Sequence, residues 1–145
     1  MIIKEYEESY RDDLIFMILS AKDALGRKPG INEDLLHIKE NYFNKGGNFW
    51  IAVDDSDRVI GSIGYSIIEG TTEAFIHRLF IKPSLKRQGL GTKLLLKAEE
   101  ELKLKGITIA KVHLGEPEEQ WFESYNFYPK HGYVFCGDRL MMKDI

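Results

Sequence analysis

The 145-residue sequence has little cysteine, little proline and no excess of basic charge. Its single cysteine, Cys136, excludes an intrachain disulfide and fits a reducing compartment, so we expect a cytoplasmic protein in which this residue lies buried in a C-terminal strand. The formal net charge of -3 argues against a nucleic-acid partner. Apolar runs such as residues 14–19 are too short to span a bilayer, which argues against a membrane partner.

The composition that remains is that of an ordinary globular protein. Hydrophobic residues make up 43% and charged residues 30%, and both values argue against disorder. The chain shows no repeat, low-complexity run or linker, and its length suits one hydrophobic core. We therefore expect a single domain over residues 1–145.

Hydrophobic periodicity and turn residues predict the element order β-α-α-β-β-β-α-β-α-β-β. The predicted strands are residues 1–7, 49–53, 59–68, 74–81, 107–114, 133–136 and 139–142. The predicted helices begin after Ser9, after Asn32, near residue 91 and near residue 118. The first helix should end at the segment 26–30, and the second should bury Leu35, Ile38 and Tyr42.

The strand, loop, helix and strand of residues 74–114 form a crossover unit. Such a unit places two parallel strands side by side, whereas the remaining connections favour antiparallel pairing. We therefore predict an α/β (α+β) fold with a mixed, mostly antiparallel central sheet that is flanked by about four helices.

The loop inside this crossover is the most informative segment of the sequence. Glycines permit a tight turn and a close approach of the backbone to a ligand. Free N–H groups at the start of the next helix, together with its dipole, favour an anion such as a pyrophosphate. The loop residues are Lys86, Arg87, Gln88, Gly89, Leu90, Gly91 and Thr92.

Two other glycine-rich phosphate motifs do not fit this loop. A dinucleotide fingerprint would require a third glycine where Leu94 stands and would follow the first strand rather than the fourth. A P-loop would require a glycine, lysine and hydroxyl sequence that is absent. An oxidoreductase that binds NAD at this loop is therefore disfavoured.

Two motifs together resemble the GNAT superfamily of acyl-CoA N-acyltransferases. The first is the strand Leu79-Phe80-Ile81-Lys82-Pro83 followed by the glycine loop and Leu94-Leu95. The second is Phe127-Tyr128-Pro129-Lys130-His131-Gly132-Tyr133, which is similar to a later motif of that family. Lys86 stands where the family prefers glutamine or arginine, and Trp121 stands where many members have an asparagine.

The resemblance implies a single N-acetyltransferase domain that uses acetyl-CoA (coenzyme A) as co-substrate and requires no metal. It implies that the backbone of Leu79, Phe80 and Ile81 lines the pantetheine and that the loop holds the pyrophosphate. It also implies that Tyr128 is the general acid that protonates the departing thiolate. The four histidines show no metal-ligand spacing.

The identity of the general base stays open at this stage. The family often has a glutamate on the strand before the loop, and that position is His77 here. A histidine titrates near neutrality and could accept the proton directly or through water. Glu73 is the alternative, and water alone is a third possibility.

The implied reaction is transfer of an acetyl group to the primary amine of a small molecule or peptide, by direct attack in a ternary complex. Glu116, Glu118, Glu119 and Glu123 could attract a cationic acceptor or could be a solvated helix start. A homodimer with a contact near residues 125–133 is possible. The alternative function is a non-catalytic module that binds and senses acyl-CoA.

Overall fold

The computed structural model describes residues 1–27 and 30–145. The strands are β1 (Ile2–Glu5), β2 (Asn48–Val53), β3 (Val59–Ile67), β4 (Glu73–Ile81), β5 (Ile109–His113), β6 (Val134–Gly137) and β7 (Leu140–Asp144). The helices are α1 (Arg11–Ala24), α2 (Ile38–Asn41), α3 (Leu90–Leu104) and α4 (Phe122–Lys130). The predicted order of strands and helices is confirmed.

The strands form one sheet in the order β1-β2-β3-β4-β5-β7-β6. Within the described residues β4 and β5 are the parallel pair, and every other neighbouring pair is antiparallel. The α/β fold with a mixed sheet and a parallel crossover is therefore confirmed. No helix in the described ranges is long and apolar enough to cross a membrane.

The alternation of side chains along β2 gives the sheet two buried faces. Trp50 and Ala52 pack with the apolar side of α3, whereas Phe49, Ile51 and Val53 pack with α1 and the α2 region. On α3 the buried residues follow the helical period that the sequence predicts; they are Leu94, Leu95, Ala98 and Leu102. The sheet is thus the central layer of the domain.

The second predicted helix is the largest error of the sequence-based assignment. In place of one long helix, the chain forms a 3-10 turn at Glu33–Leu36, the single turn of α2, and a second 3-10 turn at Phe43–Lys45. His37 breaks the helix with φ -140 and ψ 62. The predicted inner face of Leu35, Ile38 and Tyr42 is nevertheless buried, and the three side chains belong to the same hydrophobic cluster as Phe49, Ile51 and Val53 of β2.

Two other predicted boundaries shift. Ser9 does not cap α1, which begins at Arg11 after a short 3-10 turn. The fourth helix begins at Phe122 rather than near residue 118, because Glu118–Gln120 forms a 3-10 turn. The first helix ends at Ala24, just before the segment 26–30 that was predicted to end it. Residues 28 and 29 of that segment lie outside the described residues.

The prediction that Cys136 is buried is wrong. Cys136 is exposed on β6, and every residue of that strand is exposed. Cys136 is exposed because β6 is the edge strand of the sheet and, among the described residues, pairs with β7 alone.

Candidate functional site

A gap opens between the two parallel strands at the centre of the sheet. The pairing of β4 with β5 covers Glu73–Phe75 and residues 109–111, although β4 continues to Ile81. Beyond Phe75, the edge of β4 that faces β5 has no strand partner among the described residues. Backbone N–H and C=O groups on such an edge can bind the amides of an extended ligand.

A bulge marks the same part of β4. The register between β3 and β4 shifts between Ser62 and Gly64, and Arg78 opposite has φ 55. Ser62 Oγ donates a hydrogen bond of 2.8 Å to the Arg78 carbonyl. A non-glycine residue in the left-handed region is uncommon, and bulges often redirect a side chain near a functional site.

The redirected Arg78 side chain reaches Asp34 on the first 3-10 turn of the α2 region. Its Nη2 and Nε donate to the two carboxylate oxygens at 2.9 and 3.0 Å, and the Tyr42 hydroxyl donates at 2.6 Å. Burial opposes the charge of Asp34, yet the hydrogen bonds from Arg78 and Tyr42 outweigh it and lower the pKa of the carboxyl. This ion pair ties β4 to the α2 region.

The glycine loop leads directly into α3. Gly89 is the residue before the helix and has φ 81, a conformation that favours glycine. Lys93 N donates to Gly89 O at 3.1 Å, so the amides of residues 90–92 precede the first helical hydrogen bond. Together with the charges of Lys86 and Arg87, these amides favour the approach of an anion to the beginning of α3.

The gap, the loop and α4 enclose one cleft of about 670 Å³. Each predicted cofactor-binding residue except Gln88 lines it; these are Leu79, Phe80, Ile81, Lys86, Arg87, Gly89, Leu90, Gly91 and Thr92. Gln88 is exposed. The structure therefore brings the strand segment and the loop together in one place, as the crossover predicts.

Tyr128 lines the same cleft from α4. Its side chain is 7% exposed and meets the rings of Phe127 and Tyr133 edge-on at centroid distances of 5.2 and 5.3 Å. Burial raises the pKa of the Tyr128 hydroxyl above its usual value of 10.0. The group therefore keeps its proton at neutral pH and can act as a hydrogen-bond donor.

The two candidate bases lie away from this cleft. Glu73 forms an ion pair with Lys111 at the beginning of β4, about 20 Å along the strand from Leu79. His77 contacts Ser66, whose Oγ is 2.7 Å from Nε2. Burial, followed by the nearby Arg78 charge, lowers the pKa of His77 to about 4. Neither residue lines the cleft.

The acidic residues before Tyr128 do not form a common surface. Glu123 Oε1 accepts a bond of 2.9 Å from Lys86 Nζ across the cleft, and Glu116 pairs with Arg139 at 2.9 Å. Glu118 and Glu119 are exposed. This arrangement favours the interpretation of a solvated helix start for the latter two.

Arg27, Trp121 and His131 also line the cleft, although the sequence predicted no role in the site for any of them. Arg27, just after α1, stacks on Trp121 with 3.4 Å between the guanidinium carbon and the ring centroid. His131 places Nε2 at 2.9 Å from Thr92 Oγ1 and Nδ1 at 2.9 Å from Phe127 O. Arg27 is far from Trp121 in sequence, so only the tertiary fold could show this contact.

No group of three or more metal-ligating side chains occurs in the part of the chain that the structure describes.

Solved structures of acetyltransferases share this architecture. A GNAT-family acetyltransferase from Staphylococcus aureus Mu50 is 25% identical over 99% of this chain and 98% of its own, with a TM-score of 0.87. PaiA N-acetyltransferase from Thermoplasma acidophilum, solved with coenzyme A, is 23% identical over 99% and 98%, with a TM-score of 0.78. An aminoglycoside 6'-N-acetyltransferase, also complexed with coenzyme A, is 22% identical over 99% and 97%, with a TM-score of 0.74.

No curated protein sequence matches the chain significantly. The sequence profile of the acetyltransferase (GNAT) family matches residues 6–133, which include β4, the glycine loop, α3 and Tyr128. The strand gap, the bulge and the loop at the start of α3 thus occur in a chain that belongs to the acetyltransferase (GNAT) family.

Proposed function

We propose that this protein is an N-acetyltransferase that transfers an acetyl group from acetyl-CoA to the primary amine of a small molecule or peptide. One observation carries the proposal. The open edge of β4, the amides that begin α3 and the Tyr128 side chain all border a single cleft of about 670 Å³. Its parts match the successive parts of an acyl-CoA molecule.

The residues present fit coenzyme A. Leu79, Phe80 and Ile81 offer an unpaired strand edge to the two amides of pantetheine. The amides of residues 90–92 and the side chains of Lys86 and Arg87 suit a pyrophosphate. An added Cβ at Gly89 would meet no atom within 4 Å, so the loop backbone there is open to a ligand. Acetyl-CoA would supply the thioester whose carbonyl carbon is attacked, and coenzyme A is the thiol that leaves.

The reaction requires few protein groups. The amine nitrogen bonds to the carbonyl carbon, the carbon–sulfur bond breaks, and the sulfur leaves as a thiolate. A backbone N–H of the strand segment stabilises the charge that develops on the carbonyl oxygen. The Tyr128 hydroxyl donates a hydrogen bond to the leaving sulfur. Because burial raises the pKa of this hydroxyl, hydrogen-bond donation is its main role and full proton transfer is a lesser one.

The proton from the amine goes to water in this proposal. His77 with a pKa of about 4 is a weak base at neutral pH, and it lies outside the cleft. Glu73 is held by Lys111. We therefore propose that an amine reaches the cleft in its neutral form and that its proton leaves through solvent. His77→Gln and Glu73→Gln should then each retain activity within about threefold, whereas loss of a general base costs about 10² or more.

The test measures the release of free coenzyme A from acetyl-CoA in the presence of a panel of primary amines. A thiol reagent detects the coenzyme A. Amine-dependent release that gives the acetylated product supports the proposal. Tight binding of acetyl-CoA without release by any amine supports the alternative, a non-catalytic acyl-CoA sensor. That alternative draws on the position of His77 and Glu73 outside the cleft.

Three further proposals accompany this function. Residues 1–145 act as one N-acetyltransferase domain, because both core clusters share one sheet. The exposed thiol of Cys136 fits a reducing cytoplasm. The protein forms a homodimer through β6, on which Val134 and Phe135 are exposed. Analytical ultracentrifugation should then show a dimer for the wild type and a monomer for Phe135→Lys.

A further inference from the structure

Three cations converge where the end of α1 crosses β4. Lys22, Arg27 and Arg78 lie near enough that the charges of Arg78 and Arg27, after burial itself, help to lower the pKa of Lys22. Lys22 Nζ also lies 5.9 Å from the centroid of the Phe80 ring. Phe80 and Arg27 line the cleft, so this cluster borders the same space as the strand segment.

The carboxylates nearby do not balance these charges. Asp34 pairs with Arg78 at 2.9 Å. Glu123 is the acid whose charge acts on Arg27, but its carboxylate pairs with Lys86 at 2.9 Å. Lys22 bonds two neutral oxygens, Gly30 O at 2.9 Å and Asn32 Oδ1 at 2.6 Å. The cluster therefore has an excess of positive charge.

Arg27 is the member of the cluster with an unmet hydrogen bond. Its side chain is 8% exposed, its Nε donates to Gln120 O at 2.9 Å, and its guanidinium stacks on Trp121. Nη1 is buried and has no hydrogen-bond partner among the described residues. A buried charged donor without an acceptor destabilises the folded protein, and a hydrogen bond to the carboxylate of a ligand would remove this penalty.

The packing of Trp121 holds Arg27 in this position. A Cβ at Gly115 would overlap the Trp121 ring, so the ring lies flat against the backbone of that glycine. Trp121 is thereby sandwiched between Gly115 and the guanidinium. An arginine that is fixed on both its Nε and its face is pre-organised, so it loses little freedom when it binds an anion.

We propose that the acceptor carries a carboxylate beside its amine, as an amino acid does, and that Arg27 binds this carboxylate. The positive charge of Lys22 adds long-range electrostatic attraction for this carboxylate. This inference rests on the proposed acetyltransferase function and names its substrate class. It also sets this chain apart from an enzyme for a polycationic acceptor, since a polycation would be repelled by the excess positive charge.

The experiment compares amino acids with the amines that differ only by loss of the carboxylate. Suitable pairs are lysine and cadaverine, phenylalanine and phenethylamine, and tryptophan and tryptamine. For the best pair, kcat/KM of the amino acid should exceed that of the amine by about 10-fold or more, the effect of one charge-assisted hydrogen bond. Arg27→Gln should remove this preference by raising KM for the amino acid and should leave the decarboxylated amine unchanged.

Two variants serve as controls. Arg27→Lys keeps the charge but loses the planar fork, so it should retain part of the preference. Arg11→Gln removes a partly exposed arginine from the beginning of α1, the helix that precedes Arg27, and should leave the acceptor preference unchanged. Thermal unfolding of each variant shows whether it is folded.

A second readout does not depend on turnover. Calorimetric titration of the amino acid into the protein with coenzyme A present should show binding that Arg27→Gln weakens about 10-fold or more. If this binding occurs without acetyl transfer to any amine, the carboxylate site stands and the proposed function fails.

The remaining outcomes overturn the carboxylate site. Equal or better use of the decarboxylated amines would do so while leaving the acetyltransferase function intact. The same holds if Arg27→Gln weakens acetyl-CoA but preserves the acceptor preference, because Arg27 would then belong to the cofactor site. No binding and no turnover of any amino acid in the panel would also refute it.

Discussion

Replacement of Tyr128 by phenylalanine isolates the role of one hydroxyl group. The ring packs against Phe127 and Tyr133 at 5.2 and 5.3 Å, and phenylalanine can keep both contacts. Tyr128 lines the cleft, and its hydroxyl is the group that is lost. The free energy of unfolding should therefore change by less than about 1 kcal/mol, since the hydroxyl is not tied into the packing.

The effect on catalysis should be far larger. Loss of a positioned acid or donor to a developing charge typically lowers kcat by about 10² to 10³. KM for acetyl-CoA should stay within about twofold, because the hydroxyl acts on the leaving sulfur rather than on the bound ground state. The assay is steady-state release of coenzyme A, with acetyl-CoA affinity measured separately by calorimetry.

Tyr125→Phe is the matched control on the same helix. Its hydroxyl donates to Gly115 O at 3.2 Å and does not line the cleft, so kcat should remain near that of the wild type. If Tyr128→Phe keeps kcat within about threefold while folded, the hydroxyl is not a catalytic donor and the leaving group is protonated by water.

Three other predictions follow from the ion pairs and from His77. Glu123→Gln should tighten acetyl-CoA binding a few-fold in calorimetry, because it frees Lys86 for phosphate, and weaker binding would contradict this. Glu99→Ala should lower the free energy of unfolding in urea by about 3 kcal/mol, because it leaves the buried Tyr133 hydroxyl and the partly buried Lys143 ammonium without their acceptor, whereas replacement of the exposed Glu100 by alanine should not. Titration of His77 should lower the free energy of unfolding by about 2 kcal/mol as the pH falls from 7 to 5. The pKa of His77 is about 4 in the folded protein and near 6.5 in the unfolded chain, so over this range the unfolded chain takes up the proton and is stabilised. His77→Gln should flatten this pH dependence, and an unchanged slope would refute the assignment.

The sequence was most informative where local pattern and tertiary environment agree. The α3 stripe of Leu94, Leu95, Ala98 and Leu102 has a strong helical period, and all four residues are buried. The crossover from β4 to β5 follows from chain connectivity alone. These two features place the glycine loop at the edge of the strand gap, and so the position of the cleft was predictable.

Errors arose where short-range signals compete. The α2 region has a helix-like apolar pattern, but the bonds from Arg78 and Tyr42 to Asp34 form within a 3-10 turn. The bond from Arg78 joins residues that are 44 positions apart, and local helix propensity does not capture it. The exposure of Cys136 likewise depends on the place of β6 in the sheet order, which periodicity does not reveal.

The same limit applies to the acceptor side of the cleft. Motifs predicted the proposed cofactor side because loop geometry and phosphate chemistry restrict the residue types there. The proposed role of Arg27 and Lys22 follows instead from their burial and, for Arg27, from a buried Nη1 that has no hydrogen-bond partner among the described residues. Such features belong to the tertiary structure and could not be predicted from spacing.

A change at Gly89 probes the loop through charge and backbone conformation rather than through a steric clash. Gly89→Glu would not block the loop through its Cβ, because a Cβ there would meet no atom within 4 Å. The φ of 81 is unfavourable for glutamate, and its charge would repel a phosphate by about 1–2 kcal/mol per unit charge at 5 Å. Gly89→Ala shares the conformational strain and lacks the charge, so it is the matched control.

The most direct test of the cleft as a coenzyme A site is calorimetric titration of the wild-type protein with acetyl-CoA and with S-acetylpantetheine, repeated on Gly89→Ala and Gly89→Glu. We expect tight binding of acetyl-CoA, much weaker binding of the compound without phosphates, and a further loss of acetyl-CoA affinity from alanine to glutamate. Failure of the folded wild-type protein to bind acetyl-CoA, or equal binding of the two compounds, would contradict the claim that this cleft holds the pyrophosphate of coenzyme A.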